Sequence, residues 1–260
     1  MIRVAVPGAA GKMGQMVLQA LQERSDMRPS AAVERAGHPK LGQELLPSVR
    51  LTSDLATALA QADVYVDFTV PDATVQAVSL AAELGVAAVV GTTGLSPTER
   101  GALERAASRI PIVFSPNFSL GVNLLLGLAE QAARALGDDF DLEIVELHHR
   151  AKRDAPSGTA IALADALARG RGLSLDKVKR FSREGDVGAR SQDELGVFAV
   201  RGGDVVGEHT AFFLGNGERV ELTHRATTRM IFARGAARAA AWVVGKPPRL
   251  YSMADVLGFS

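Results

Sequence analysis

The chain has 260 residues, enough for one large domain or two modest ones, and its 29 Lys and Arg balance 29 Asp and Glu. That balance gives no global attraction to nucleic acid or to an anionic membrane surface. Cysteine is absent, which removes disulfides and thiolate metal sites and fits a reducing compartment.

In chain order, residues 2–6 read as a strand and 14–22 as a helix with Met16, Val17, Ala20 and Leu21 on one face. Residues 30–33 form the next strand, 55–61 a helix, 64–68 a strand, 74–84 a helix, 86–90 a strand, 97–108 a helix and 110–114 a strand. Continuous apolar strands alternating with helices predict a parallel sheet covered on both faces. The right-handedness of such crossovers then makes a doubly wound, Rossmann-like sheet the economical arrangement.

The pattern changes after Asn117-Phe118. Residues 121–136 form one long apolar helical run, and 142–148 a strand. Short β-like runs follow at 197–201, 205–208, 211–214 and 219–223, separated by Gly-Gly, His-Thr and Gly-Asn-Gly turns. Residues 181–195 read as a long loop and 230–244 as a helix. The expected second part is therefore a smaller α+β domain with a mixed or antiparallel sheet. The expected division is 1–118 with 229–260 for a dinucleotide-binding domain, and 119–228 for substrate binding and oligomerisation. The folded pattern begins at the second residue, and no apolar run reaches the ~18 residues of a membrane span, so a cytoplasmic protein is expected.

Directly after the first strand comes Gly8-Ala9-Ala10-Gly11-Lys12-Met13-Gly14. Glycines at the first, fourth and seventh places suit a tight turn, a close approach of backbone to pyrophosphate, and close packing of helix on strand. The second strand ends at Glu34-Arg35. A carboxylate there is placed to accept hydrogen bonds from ribose hydroxyls, while Arg35 could meet a 2′-phosphate, so NADH and NADPH both stay open. Gly91-Thr92-Thr93-Gly94 and Ser115-Pro116-Asn117-Phe118 lie at two further strand ends, where an open α/β sheet keeps its ligand crevice.

The richest segment is Glu146-Leu147-His148-His149-Arg150-Ala151-Lys152-Arg153-Asp154-Ala155-Pro156-Ser157-Gly158-Thr159. Taken alone it is either a solvated basic loop or an anion site with a titratable proton carrier, an ammonium and helix-start amides. The nucleotide half favours the second. Adjacent residues on a strand point to opposite faces, so joint ligation of a metal by His148 and His149 is awkward and none is expected. His209 and His224 read as sheet-face or interface residues. Glu208 and Arg229 read either as hinge or interface groups or as direct ligand contacts, and Arg150 and Arg153 as surface charges or subunit contacts.

These pieces, together with Asp67-Phe68-Thr69, Phe181-Ser182-Arg183-Glu184-Gly185, Gly207-Glu208-His209-Thr210 and Thr228-Arg229-Met230, stand in the order found in one family. The chain resembles the 4-hydroxy-tetrahydrodipicolinate (dihydrodipicolinate) reductases of the diaminopimelate route to lysine, over essentially its whole length. The resemblance implies a homotetramer that takes NADPH and/or NADH and reduces a small cyclic imine dicarboxylate with loss of water; from charge and hydropathy, neither nucleic acid nor membrane is expected as a partner. It implies His148 as acid/base residue and Lys152 as proton donor, with His149, Gly158 and Thr159 on the substrate. It places Gly8, Ala9, Ala10, Gly11, Lys12, Met13, Glu34, Arg35, Gly91, Thr92, Thr93, Ser115, Pro116, Asn117 and Phe118 on the cofactor. Two other readings remain: a related two-domain dehydrogenase acting on another imine or keto acid, and a non-catalytic NAD(H) sensor. A sensor has no need of His148 and Lys152 beside a helix start.

Overall fold

The computed structural model describes residues 1–259, which divide into two compact units, Met1–Leu120 with the segment from Met230 onward, and Gly121–Arg229. The first unit opens with β1 (Ile2–Pro7), α1 (Lys12–Gln22), β2 (Met27–Val33), β3 (Glu44–Leu46), β4 (Val49–Thr52), α2 (Leu55–Ala60) and β5 (Val64–Asp67). It continues through α3 (Pro71–Leu84), β6 (Ala87–Val90), α4 (Pro97–Ala107) and β7 (Pro111–Phe114). The second contains α5 (Leu120–Leu136), β8 (Asp141–His148), α6 (Gly158–Gly170), α7 (Leu175–Val178), β9 (Lys179–Arg180), β10 (Leu195–Arg201), β11 (Gly207–Leu214) and β12 (Arg219–Ala226). The chain then returns to the first unit with α8 (Met230–Val243), β13 (Arg249–Tyr251) and α9 (Met253–Leu257).

Strands of the first unit run in the order β13-β7-β6-β5-β1-β2-β4-β3. Every pairing is parallel except β3 with β4. Both faces are buried, which explains why the strands read as unbroken apolar runs. Val4, Val6, Val64, Val66 and Val89 face α1 and α8, while Ala5, Tyr65, Ala88, Val90 and Ile112 face α2, α3 and α4. Removing one filled position such as Leu21, fully buried on α1, costs about 2–5 kcal/mol on truncation to Ala. The doubly wound architecture expected from the sequence is thus present.

The helix starts follow local chemistry. α3 begins at Pro71, earlier than periodicity suggests, because proline suits the first helical position after an extended Val70. α4 starts at a capping box, with Ser96 accepting from the Glu99 amide and the Glu99 carboxylate accepting from the Ser96 amide. The short β3, β4 and β13, with α7, β9 and α9, are elements that the sequence pattern does not mark.

In the second unit the order is β12-β11-β8-β10-β9, with antiparallel pairs on one side of β8 and parallel pairs on the other. The expected mixed sheet is therefore found, with one correction. The runs at 205–208 and 211–214 are a single strand, β11, and His209-Thr210 is not a turn. Gly207, His209, Ala211 and Phe213 alternate inward along it, a period of two that a turn at His-Thr would break. On β8, Leu142, Ile144, Glu146 and His148 point inward. The apolar half of that row packs with Leu125 and Ala129 of α5 and Leu163 and Leu167 of α6, so the strand's far end delivers an acid and a histidine to the same face.

Candidate active site

The first unit carries an open cleft of about 580 Å³, lined among others by Gly8, Gly11, Glu34, Arg35 and Thr69. It lies beyond the C-terminal ends of β1 and β5, neighbours in the sheet between which the strand order reverses. An open α/β sheet binds its ligand at that place. Gly8 has φ +68°, in the region favouring glycine, and a β-carbon on Gly14 would lie 2.2 Å from the Gly8 carbonyl oxygen. The helix therefore sits hard against the turn. Gly11 caps α1 without any side-chain hydrogen bond, which leaves the first-turn amides to meet an anion. This cradle fits the pyrophosphate of a dinucleotide.

The other loop residues are placed unequally. Ala9 is fully buried and its amide donates to the Val33 carbonyl at 3.1 Å; Ala10 and Met13 pack on the core, and Lys12 is exposed. Glu34 follows the end of β2 and accepts from the Arg35 amide at 3.1 Å.

The ends of β5, β6 and β7 meet around one ring. A β-carbon on Gly91 would lie 2.2 Å from the Phe68 ring, and the buried Phe118 stacks edge-on against Phe68 at 5.6 Å. Ser115 is buried, its hydroxyl donating to the Asn117 carbonyl at 2.7 Å and accepting from the Asn117 amide; Pro116 and Thr93 are exposed. Beneath these turns lies Asp67, fully buried, accepting from the Thr69 amide and hydroxyl at 2.8 and 2.6 Å and from the Thr74 hydroxyl at 2.7 Å. Thr92 joins through Thr74 at 2.7 Å. Burial raises the Asp67 pKa above the ordinary value, against the pull of the Thr69, Thr74 and Thr92 hydrogen bonds.

The basic run belongs to the second unit. His148 ends β8, and its Nδ1 lies 2.5 Å from Oε2 of the fully buried Glu146, two residues back on the same face. Arg201 of β10, directly opposite His148 in the parallel register, grips both Glu146 oxygens at 2.8 Å. The Ser157 amide also donates to Glu146, at 3.0 Å. Burial pushes the Glu146 pKa up, yet Arg201, His148 and the Ser157 amide together hold it below the usual carboxylate value.

For His148, burial is the largest influence and lowers its pKa; Glu146 opposes that, while Lys152 and Arg201 reinforce it. The Lys152 ammonium is bidentate to Asp154 at 3.0 Å, and the Asp154 carbonyl accepts from Arg201 at 2.7 Å. α6 starts after Ser157, whose hydroxyl accepts the Ala160 amide at 3.1 Å and lies 3.0 Å from His209 Nε2. The exposed Gly158 and half-buried Thr159 form its first turn, which presents helix-start amides and a partial positive charge. His149 is half-buried beyond the strand end, and Arg150 and Arg153 are exposed. The run thus gathers a histidine, an ammonium and a helix start, as needed to hold a carboxylate and exchange a proton.

Sequence reasoning missed Arg201 and underrated His209, which stands on the buried face with its ring 5.1 Å from that of His148. Burial lowers the His209 pKa to about 4, so it stays neutral. The alternation Leu142, Ile144, Glu146, His148 was the available signal for Glu146. Arg201 had none, because it meets the site through strand pairing. Among the described residues, no group of three or more His, Asp or Glu is placed to hold a metal ion, and no helix is long and apolar enough to cross a membrane.

The chain is similar to known proteins over its whole length. Residues 2–118 match the model of the dihydrodipicolinate reductase N-terminus and residues 121–257 that of the C-terminus. The 4-hydroxy-tetrahydrodipicolinate reductase of Anaeromyxobacter dehalogenans is 49% identical over 265 residues, covering 99% of this chain and 98% of that one. The enzyme of the same name from Alkalilimnicola ehrlichii is 50% identical over 263 residues, covering 98% of each. Among solved structures, the dipicolinate-bound dihydrodipicolinate reductase of Paenisporosarcina sp. TG-14 superposes with a TM-score of 0.82 at 27% identity, covering 98% of this chain and 99% of that one.

Proposed function

The chain belongs to the dihydrodipicolinate reductase family, and on that premise we propose how its residues carry out the reaction. It is an oxidoreductase that reduces 4-hydroxy-tetrahydrodipicolinate to tetrahydrodipicolinate in the diaminopimelate route to lysine. A nicotinamide cofactor supplies the hydride; one proton is consumed, and the substrate's hydroxyl leaves as water.

The first unit holds the cofactor. Gly8, Gly11 and the first turn of α1 take the pyrophosphate, Glu34 takes the ribose hydroxyls and Arg35 a 2′-phosphate, so that both NADPH and NADH are accepted. The backbone contributes more than side chains over Ala9 to Met13, because Ala9 lies in the core. Gly91, Thr92, Thr93 and the 115–118 turn border the nicotinamide end.

The second unit holds the dicarboxylate. Gly158 and Thr159 offer helix-start amides to one carboxylate, and His149 is assigned to the same substrate. Lys152 provides a compact ammonium that binds anion and donates a proton. His148, with Nδ1 committed to Glu146, exchanges its proton through Nε2. In the free protein burial keeps that imidazole below its usual pKa; a bound dianion raises it and so draws a proton to the place where the reduced ring needs one. The observation that carries this reading is the junction of the Glu146–His148 pair with the Ser157-capped start of α6 through one hydrogen bond at 3.0 Å. We further infer that the protein acts in the cytoplasm as a homotetramer, as the sequence resemblance implies.

Mixing the purified protein with NADPH and freshly made product of dihydrodipicolinate synthase tests the reading. Loss of reduced-nicotinamide absorbance is expected. Inertness there, with turnover of a different keto acid, would assign the fold to another dehydrogenase, and inertness with every acceptor would leave only a nucleotide sensor.

A further inference from the structure

We propose that Glu146, clamped by Arg201 and the Ser157 amide, is a positioning residue that decides which nitrogen of His148 exchanges protons. The inference rests on His148 being the proton carrier and adds what makes it one.

Glu146 has no solvent contact, and its two oxygens receive four bonds. Oε1 accepts from the Ser157 amide at 3.0 Å and Arg201 Nη2 at 2.8 Å. Oε2 accepts from Arg201 Nη1 at 2.8 Å and faces His148 Nδ1 at 2.5 Å. Three of the four partners are obligate donors, and an ionised carboxylate only accepts. The hydrogen on neutral His148 therefore sits on Nδ1, and Nε2 keeps its lone pair. Gly207, opposite on β11, leaves room at that atom, since a β-carbon there would come within 2.9 Å of Nε2.

The alternative role for this pair is purely structural, an ion pair knitting β8 to β10. The two roles differ in what they do to His148. The groups facing its ring are Glu146 on its own strand, Arg201 on β10, His209 on β11, and Lys152, itself held by Asp154, in the following loop. Glu146 favours the protonated imidazole, whereas Arg201 and Lys152 oppose it. Replacing Glu146 or Arg201 by neutral Gln should thus move His148 in opposite directions, which a strand-knitting pair would not do. Glu146→Gln should also invert the tautomer. The Gln oxygen is claimed at the Oε1 place by two donors, which turns its NH2 toward Nδ1 and makes that nitrogen an acceptor.

The test is ¹⁵N NMR of imidazole-labelled protein without substrate, with His148 assigned by its loss in His148→Gln. Wild type should show the Nδ1–H tautomer. Glu146→Gln should show Nε2–H and titrate at lower pH, and Arg201→Gln should keep Nδ1–H and titrate at higher pH. If Glu146→Gln does not fold, the upward shift in Arg201→Gln still decides. A His148 tautomer and titration unmoved in the folded variants, or moved in the same direction by both, would overturn the proposal. Turnover separates it from the functional assignment. Glu146→Gln should lose kcat on the order of 10² at unchanged NADPH Kd, and an inverted tautomer with full turnover would remove His148 from the reaction while leaving Glu146 as the residue that orients it.

Discussion

Gly207 faces His148 across two paired strands, and a β-carbon on it would stand 2.9 Å from the imidazole Nε2. His148 cannot swing away freely, because its Nδ1 is bound to Glu146 at 2.5 Å. Gly207→Ala should therefore displace the ring by a few tenths of an ångström and cut kcat by about tenfold, with the Kd for NADPH unchanged. Full turnover in that variant would show that proton exchange does not use Nε2.

Gly14 is packed against the turn that precedes its own helix, 2.2 Å separating its hypothetical β-carbon from the Gly8 oxygen. Gly14→Ala forces α1 away from that turn, with a stability loss of about 1–3 kcal/mol by analogy with overpacked cores. The variant should melt at lower temperature and bind NADPH more weakly. Unchanged affinity by fluorescence titration would place the pyrophosphate elsewhere.

Arg35 lines the cleft beside Glu34. A charge-assisted bond to a 2′-phosphate is worth about 1.5–3 kcal/mol, so Arg35→Ala should raise KM for NADPH on the order of 10-fold or more and leave that for NADH nearly constant. Equal effects on both cofactors would remove the phosphate contact.

His209 is 4% exposed, and burial sets its folded pKa at about 4 against an ordinary value of 6.5. The fold thus favours the neutral ring. Its contribution is complete above the ordinary value and is lost as pH falls from there through the folded value. The loss is about 2–3 kcal/mol on going to about pH 4.5. Urea unfolding of wild type and His209→Gln at about pH 7 and about pH 4.5 should show the smaller acid loss in the variant, and parallel losses would contradict this.

Much of this was legible in the sequence because it rests on short-range chemistry. The Gly8 turn, the α1 start and the Ser157 cap each depend on residues within a few positions of one another, and so does the alternation that sets Glu146 behind His148. Arg201 and His209 were hidden because their roles come from pairing. Arg201 is 53 residues from His148 in the numbering and meets it only through the β8–β10 register. His209 read as a sheet-face residue, but its approach to His148 emerges only because β11 runs unbroken through the expected His-Thr turn. The tight fit of Gly91 on Phe68, and of Gly207 on His148, depends on neighbours that spacing alone cannot name.

The central claim is that His148 and Lys152 move protons while the first unit binds the hydride donor. The most direct measurement is kcat beside NADPH affinity for His148→Gln and Lys152→Ala. Each should lose turnover by ~10²–10⁴ while the Kd for NADPH stays at the wild-type value. A loss below about tenfold in both, with cofactor binding intact, would show that the proton chemistry lies elsewhere.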